Sequence, residues 1–105
     1  MSGGKKERVD VMKVYIAGKI NGDKNYKRKF SMLAQNQREV GNIVLNPAEL
    51  PEGMLPADYM RICLAMIDTA DMVLFMSDWI SSRGAAVEME YCRYINKPVA
   101  VIDSI

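Results

Sequence analysis

The stretch MVLFM-SDWISS-RGAAVEMEYCRYI, residues 72–95, decides the fold. Its first five residues are all apolar, which is typical of a strand buried on both faces of a parallel sheet. A turn around Trp79 follows, and Ala85 and Cys92 then fall on one face of a predicted helix over residues 83–95. A buried strand that leads through a turn into an amphipathic helix is typical of the α/β class.

The rest of the chain alternates strand and helix in the same way. Apolar and β-branched runs predict three further strands, and apolar residues at helical spacing predict two further helices. The strands cover residues 12–17, 43–45 and 98–102, and the helices cover residues 26–40 and 58–70. We therefore predict an α/β fold: a small doubly wound, Rossmann-like parallel sheet of about four strands, with three helices packed on its two faces.

The composition changes at residue 12, which sets the domain organisation. Residues 1–11 combine Ser-Gly-Gly with a charge cluster and show no periodicity, so we predict a mobile N-terminal tail. Residues 12–105 form one domain, because a chain of 105 residues buries about 65% of its unfolded surface and can build a core. Apolar runs reach about six residues, whereas a membrane-spanning helix needs about 20, so we expect none.

The sequence contains no histidine among its 105 residues. This excludes a Ser-His-Asp triad, a Cys-His pair and a zinc site that uses histidine. Two cysteines cannot complete a four-thiolate zinc site either, so we predict no metal and no cofactor. Acid–base chemistry near neutral pH falls to carboxylates, tyrosines, a shifted lysine or bound water.

The charge balance and the cysteines limit the partners and the compartment. Fourteen basic and thirteen acidic residues give a net charge of +1, too balanced for a protein that binds nucleic acid polymers or membrane surfaces. Cys63 and Cys92 have neither metal-site nor redox spacing, so we interpret them as buried thiols in a reducing compartment. We expect a cytoplasmic protein.

In sheets of this kind, ligands bind beyond the carboxyl ends of the strands. That rule selects residues 18–25, 46–58 and 77–88 before any chemistry is considered. The second segment begins with a loop over residues 46–56 that contains three prolines and is long for an α/β connection. Long loops of this type are often functional.

Glu88 is the strongest candidate for chemistry. It lies on the inward stripe of the predicted third helix, three residues after Ala85 and four before Cys92. Burial raises the pKa of a carboxylate and costs stability unless the group is paired or used. Two interpretations stay open: a functional carboxylate, or one that is paired with a buried tyrosine or a backbone amide.

The start of the same helix is a candidate anion site. Ser82 can cap the helix, and its free amides favour an anion such as phosphate. Gly84 allows a close backbone approach, and Ala85 follows it. The alternative is an ordinary helix cap.

Further candidates follow the first and third strands. Gly18 and Lys19 belong to a glycine-bearing loop that matches neither the GxGxxG pattern nor the P-loop pattern. Tyr15 lies near the end of the first strand, where its hydroxyl could reach the site or simply pack in the sheet. Trp79 could stack on a base or merely cover its loop.

The predicted second helix is apolar on more than one side. It carries Met60 and Met66, and Ile62 and Met66 lie off its main inward stripe. This is more apolar surface than one sheet face needs, so we predict a homo-oligomer interface on this Met-rich helix.

Four short motifs together carry a family resemblance. They are YIAG at residues 15–18, Asn-Pro at 46–47, Asp71 before an apolar strand, and W-x-x-S-x-G-A-x-x-E at 79–88. Over residues 13–102 the chain resembles the nucleoside 2-deoxyribosyltransferase superfamily, and most of all its small bacterial and phage members. The Trp-to-Glu motif is the most specific part of the resemblance.

The resemblance implies a function and roles for several residues. Glu88 matches the glutamate that attacks the anomeric carbon of the sugar, and Tyr15 matches the strand tyrosine that positions it. Ser82 and Gly84 match positions that hold the phosphate in members that act on nucleotides. The implied activity is cleavage of an N-glycosidic bond, or deoxyribosyl transfer, on a nucleoside or nucleoside 5′-monophosphate as the small-molecule partner. Further binding residues are expected at Gly18, Lys19, Asn46, Trp79 and Ala85.

The chain departs from the superfamily at one position. Enzymatic members carry an aspartate in the helix before the third strand, where it assists the departing base. Counting back from Asp71, that position falls at Ile62 or Cys63 here, while Asp58 and Asp68 lie a turn away on either side. The departure keeps two alternatives open: a nucleotide-binding or sequestering module without turnover, and an interaction protein that acts through its Met-rich helix.

Overall fold

The computed structural model describes residues 11–103. The predicted mobile tail over residues 1–11 therefore lies, apart from Val11, outside the described residues. The domain consists of four strands and three α-helices in strict alternation, with two short 3₁₀ segments, as the sequence predicts. Its elements are β1 (Lys13–Ala17), α1 (Tyr26–Glu39), β2 (Ile43–Leu45), α2 (Pro56–Thr69), β3 (Met72–Met76), α3 (Arg83–Tyr94) and β4 (Val99–Ile102), with 3₁₀ segments at Pro47–Glu49 and Ser77–Ser81.

All neighbouring strands pair in parallel, in the order β2-β1-β3-β4. The chain moves from β1 outward to β2, crosses back over β1 to β3, and then continues outward to β4. Because parallel crossovers share one hand, this reversal places the first helix on one face of the sheet and the later helices on the other. The reversal lies between β1 and β3, and it is at such a point that doubly wound sheets open a crevice for ligands.

The hydrophobic core consists of two layers, one on each face of the sheet. Alternate residues of β1 and β3 point to opposite faces. One layer packs Val14, Ile16, Leu74 and Met76 against Phe30, Leu33 and Ala34 of α1. The other packs Tyr15, Ala17, Val73 and Phe75 against Cys63 and Ile67 of α2, Ala70 after it, and Met89 and Cys92 of α3. This second layer holds the candidate site.

The second helix begins two residues earlier than the sequence pattern predicts. Pro56 takes the first helical position, where its missing N–H costs nothing, and the helix ends at Thr69. Asp58 is the third residue, and its carboxylate accepts the Leu55 N–H at 3.1 Å, which secures the helix start. The preceding loop is also more regular than predicted, since a 3₁₀ turn occupies Pro47–Glu49.

Asp71 has the structural role that the sequence predicts. Its Oδ2 accepts the Lys13 N–H at 2.8 Å, which ties the turn before β3 to the start of β1. Among the helices of residues 11–103, none is both long enough and apolar enough to cross a membrane.

The ends of β1 and β3 pack closely at Gly18. A side chain at this position would place its Cβ 2.8 Å from the Met76 Cε and 3.1 Å from the Asp78 Oδ1. Met76 is 3% exposed, so its methyl group has little room to move. A glycine is therefore required here by the close approach of the two strand ends, rather than by a bound phosphate.

We expect Gly18→Ala to destabilise the protein by about 1–3 kcal/mol, because the added methyl group overpacks this contact. Gly84→Ala is the matched control, since its Cβ would meet no atom nearer than the Met60 Cε at 3.9 Å and alanine favours a helix. Urea unfolding of the two variants measures the difference. Equal stability of both variants would contradict the close packing at Gly18.

Candidate active site

The candidate site forms where α3 passes over the carboxyl end of β1. The inward stripe of α3 buries Ala85, Met89 and Cys92, and Glu88 lies among them with 7% of its surface exposed. The Tyr15 hydroxyl donates a hydrogen bond to Glu88 Oε2 at 3.1 Å, across 73 residues of sequence. The two residues that the sequence predicts as catalytic therefore lie in direct contact. This contact is also the tyrosine pairing that the sequence leaves open for Glu88, so the geometry alone does not assign catalysis.

Burial dominates the electrostatics of Glu88. Removal from water raises the pKa of this carboxyl from 4.5 to about 7, while hydrogen bonds from Tyr15 and Cys63 oppose part of the rise. Near neutral pH, Glu88 is thus present in both its protonated and its ionised form. A carboxyl group with this pKa can serve as a nucleophile, a base or a hydrogen-bond acceptor without any histidine.

The groups around Glu88 are neutral at the same pH. Burial and the nearby Glu88 carboxylate raise the pKa of Tyr15 well above its usual value. Burial also raises the pKa of both cysteine thiols, Cys63 and Cys92, to about 11. Both cysteines are free and buried, as the sequence predicts. Tyr15 and Cys63 therefore keep their protons and act as donors.

The amino end of α3 has the geometry of a capped helix. The Ser82 Oγ accepts the Ala85 N–H at 3.2 Å, so Ser82 is the N-cap. The amides of Arg83 and Gly84 are the first of the helix and have no acceptor within it. Gly84 is exposed and Ala85 is buried. Ser82, Gly84 and Ala85 thus lie together at a helix start that is able to hold an anion.

Gly18 and Lys19 are held by a polar network that sequence analysis missed. The Lys19 N–H donates to Asp78 Oδ1 at 3.0 Å. The Lys29 ammonium group of α1 pairs with the carboxylates of both Asp78 and Asp23. The network fastens the loop after β1 to the turn after β3. Only the Asp-containing turn 77–82 hinted at it, since ion pairs between distant segments leave no periodic pattern.

Trp79 packs mainly on the protein itself. Its ring meets Phe75 edge to face, with the ring centroids 6.0 Å apart, and it covers the core layer under α2 and α3. The Arg93 guanidinium lies over the ring at 6.0 Å from its centroid. These contacts match the simpler of the two interpretations, in which Trp79 covers its loop.

Asn46 lies apart from Glu88. It is 7% exposed, and its Oδ1 accepts the Ala48 N–H at 3.0 Å, which caps the 3₁₀ turn. Asn46 also lines an open cleft of about 520 Å³ between α1 and the loop after β2, with Lys27 and Ser31 on the helix side. The pocket that Asn46 lines is therefore on the α1 side of the domain, whereas Tyr15 and Glu88 belong to the layer under α2 and α3.

The structure identifies which residue of α2 faces Glu88. Cys63 is 6% exposed and lies within hydrogen-bonding reach of both Tyr15 and Glu88, whereas Ile62 is half-buried outside the core clusters. Asp58 pairs with Arg61, and Asp68 accepts a hydrogen bond from the Tyr91 hydroxyl at 2.7 Å. The two aspartates that flank Cys63 along the helix are thus engaged elsewhere.

The architecture is that of a nucleoside deoxyribosyltransferase-like fold. It superposes with a TM-score of 0.68 on the 2-deoxyribosyltransferase of the psychrotolerant bacterium Bacillus psychrosaccharolyticus, over 87% of this chain and 72% of that one, at 22% sequence identity. At this identity the likeness shows the fold alone. The chain belongs to the family described as Domain of unknown function (DUF4406), which matches residues 12–101. No curated protein matches the sequence.

We expect Glu88→Gln to stabilise the protein by up to about 3 kcal/mol at pH 8, and by much less at pH 5. The pKa of Glu88 lies near 7 in the folded state and near 4.5 when unfolded. The unfolded chain therefore loses this proton first, so wild-type stability falls as the pH rises from about 4.5 to 7 and stays level above that. Glutamine carries no such charge.

Urea unfolding of wild type and variant between pH 5 and 8 tests this dependence. Glu90→Gln is the control, because Glu90 is exposed and pairs with Arg93 at the surface. A stability difference between wild type and Glu88→Gln that stays constant across this pH range would show that Glu88 is not a strained, desolvated carboxylate.

Proposed function

We propose that this protein cleaves the N-glycosidic bond of a nucleoside or nucleoside 5′-monophosphate, or transfers its deoxyribosyl group, with Glu88 as the nucleophile. One observation carries the proposal: a buried carboxylate of α3, hydrogen-bonded by the Tyr15 hydroxyl, at the carboxyl end of β1. The fold adds support, since the solved structure it resembles is a 2-deoxyribosyltransferase described as a biocatalyst for nucleoside synthesis.

The proposed reaction proceeds in two steps. An ionised Glu88 oxygen attacks the anomeric carbon as the bond to the base nitrogen breaks, through an oxocarbenium-like transition state. The electron pair of that bond leaves with the base, which takes a proton from water. The glycosyl ester on Glu88 is then attacked by water, which completes hydrolysis, or by a second base, which completes transfer.

The Tyr15 hydroxyl has a positioning role in this scheme. It donates to one oxygen of Glu88, so it fixes the plane of the carboxylate. Helical side chains lean toward the amino end of their helix, so the carboxylate is inclined toward Ser82 rather than toward the carboxyl end of α3. The nucleophile is thereby turned toward the end of the helix where an anion binds most favourably.

The start of α3 is the proposed phosphate subsite. The Ser82 hydroxyl already accepts from Ala85, which leaves its proton available for a phosphate oxygen. The first amides of the helix and its positive dipole end add to this preference. Six residues, about 9 Å along the helix axis, separate this subsite from Glu88. We therefore place a nucleoside 5′-monophosphate with its phosphate at Ser82 and its sugar at Glu88.

A second candidate function is a nucleotide-binding module without turnover. The observation in its favour is Cys63, a thiol that faces Glu88 from α2 where the resemblance leads one to expect an aspartate. A protonated thiol with a pKa near 11 is a weak acid for a departing base. In this version Glu88 accepts hydrogen bonds from a ribose hydroxyl. Either function suits a reducing cytoplasm, where Cys63 and Cys92 stay thiols.

We expect release of free base from a panel of deoxynucleosides and deoxynucleoside 5′-monophosphates, measured by chromatography. The rate should rise as the pH passes about 7, since ionised Glu88 attacks. Glu88→Gln should lower the rate at least 1,000-fold (on the order of a lost nucleophile), and Tyr15→Phe about 10–100-fold. Glu90→Gln is the matched control and should retain full activity.

Three outcomes separate the functions. Base release that depends on Glu88 supports the enzyme. Ligand-induced thermal stabilisation by the same panel, without base release, supports the binding module. Wild type and Glu88→Gln that behave alike in both assays contradict both functions and leave the interaction protein.

We also propose that the chain forms a homo-oligomer through α2. Met66 packs partly against the core of its own chain, and Ile62 is half-buried beside it on the helix. A second copy that covers Ile62 would remove its remaining apolar surface from water. The proposal rests on this apolar face alone.

We expect Ile62→Lys to shift the protein toward monomer, because a charge on this face opposes burial. Size-exclusion chromatography with light scattering measures the mass. Val87→Lys is the control, since Val87 is exposed on the outer side of α3. A monomeric wild type, or dissociation by the control variant alone, would contradict an interface on α2.

A further inference from the structure

Cys63 contacts both members of the Tyr15–Glu88 pair. It comes from α2, whereas Tyr15 comes from β1 and Glu88 from α3, so the three side chains converge from three separate elements. All three belong to the buried part of the domain, with exposed fractions of 6%, 1% and 7% for Cys63, Tyr15 and Glu88. The Cys63 thiol shares hydrogen bonds with both partners. Glu88 therefore has two side-chain donors.

The protonation of the surrounding groups determines the direction of these bonds. The titratable groups that face Glu88 are Tyr15 from β1, Cys63 from α2 and Cys92 from its own helix α3. Burial keeps all three in the neutral, protonated form near pH 7. Cys92 acts on Glu88 through charge alone, while Tyr15 and Cys63 also hydrogen-bond to it.

We infer that Cys63 is a positioning residue of the site: its thiol donates its proton to the Glu88 carboxylate and, together with Tyr15, holds that carboxylate in its ionised, oriented form. The functional part of this inference rests on the proposed role of Glu88 as the nucleophile. The hydrogen bond itself does not. No new bond to carbon forms at Cys63, since the thiol stays protonated throughout.

A thiol has a particular consequence at this place. A carboxylate on α2 would add a second negative charge beside Glu88, and like charges raise each other's pKa. A neutral thiol instead lowers the pKa of Glu88 toward neutrality while adding no charge. Cys63 thus lets a single buried carboxylate ionise near pH 7, where a pair of carboxylates would share a proton.

The test is a carbon-13 NMR titration of the Glu88 carboxyl carbon, with Glu88→Gln used to assign the signal. In wild type the apparent pKa is expected at about 7. Cys63→Ala and Cys63→Val remove the donor, and each should raise this pKa by about one, a tenfold change in the protonation equilibrium. Valine fills the space that alanine leaves, so it controls for water entering a cavity.

Two further variants sharpen the result. Cys63→Ser keeps a donor and should hold the apparent pKa within about 0.3 of wild type, as expected for rescue by a conservative change. Cys92→Ala is the matched control: a buried thiol of the same core layer is lost, but no donor to Glu88. Its titration should follow wild type. Dispersed amide spectra show that each variant is folded.

The outcomes distinguish this inference from the proposed function. An unchanged Glu88 pKa in both folded donor-deleted variants, or an equal rise in Cys92→Ala, would overturn the role of Cys63. A rise confined to the Cys63 variants supports it even if no base is released from any substrate. Where base release is observed, the acid limb of the pH–rate profile should move up with the same variants.

Discussion

The hydrogen bond from the Tyr15 hydroxyl to the Glu88 carboxylate is the interaction on which the candidate site depends. A carboxylate buried on an apolar helix face is costly unless it meets a donor. The donor comes from β1, 73 residues away in sequence. It reaches Glu88 because β1 pairs directly with β3, and the crossover after β3 carries α3 back over that pair. The strand order and the polar contact therefore support each other.

Much of this arrangement can be predicted from local patterns. β3 is predicted with its true bounds because its apolar run is enclosed by Asp71 and Ser77, and Glu88 is found because it interrupts an apolar stripe of period 3.6. The start of α2 is missed, since Pro56 at a first helical position looks like part of a proline-rich loop. Cys63 is missed because a thiol on an inward stripe has the pattern of an ordinary core residue.

The polar network around Asp78 could not be predicted from any such pattern. It joins the β1–α1 loop, helix α1 and the turn after β3, and its members are separated by up to 59 residues. These pairs are only partly exposed, so screening by water weakens them less than it weakens a surface pair. Their structural consequence is specific: the backbone at Gly18 and Lys19 is fixed against β3, on the α1 side of the sheet. The loop after β1 is thus held independently of the layer that contains Glu88.

The absence of histidine gives this burial its chemical meaning. Histidine is the side chain whose ordinary pKa lies near neutrality, and this sequence has none. Burial brings Glu88 to about 7, while the same burial moves Tyr15 and Cys63 further from neutrality. Desolvation raises the pKa of every acid, but only the carboxyl group starts low enough to arrive near pH 7. One physical effect therefore produces both the ionisable group and its two neutral donors, so the proton that leaves this cluster near neutral pH is the one on Glu88.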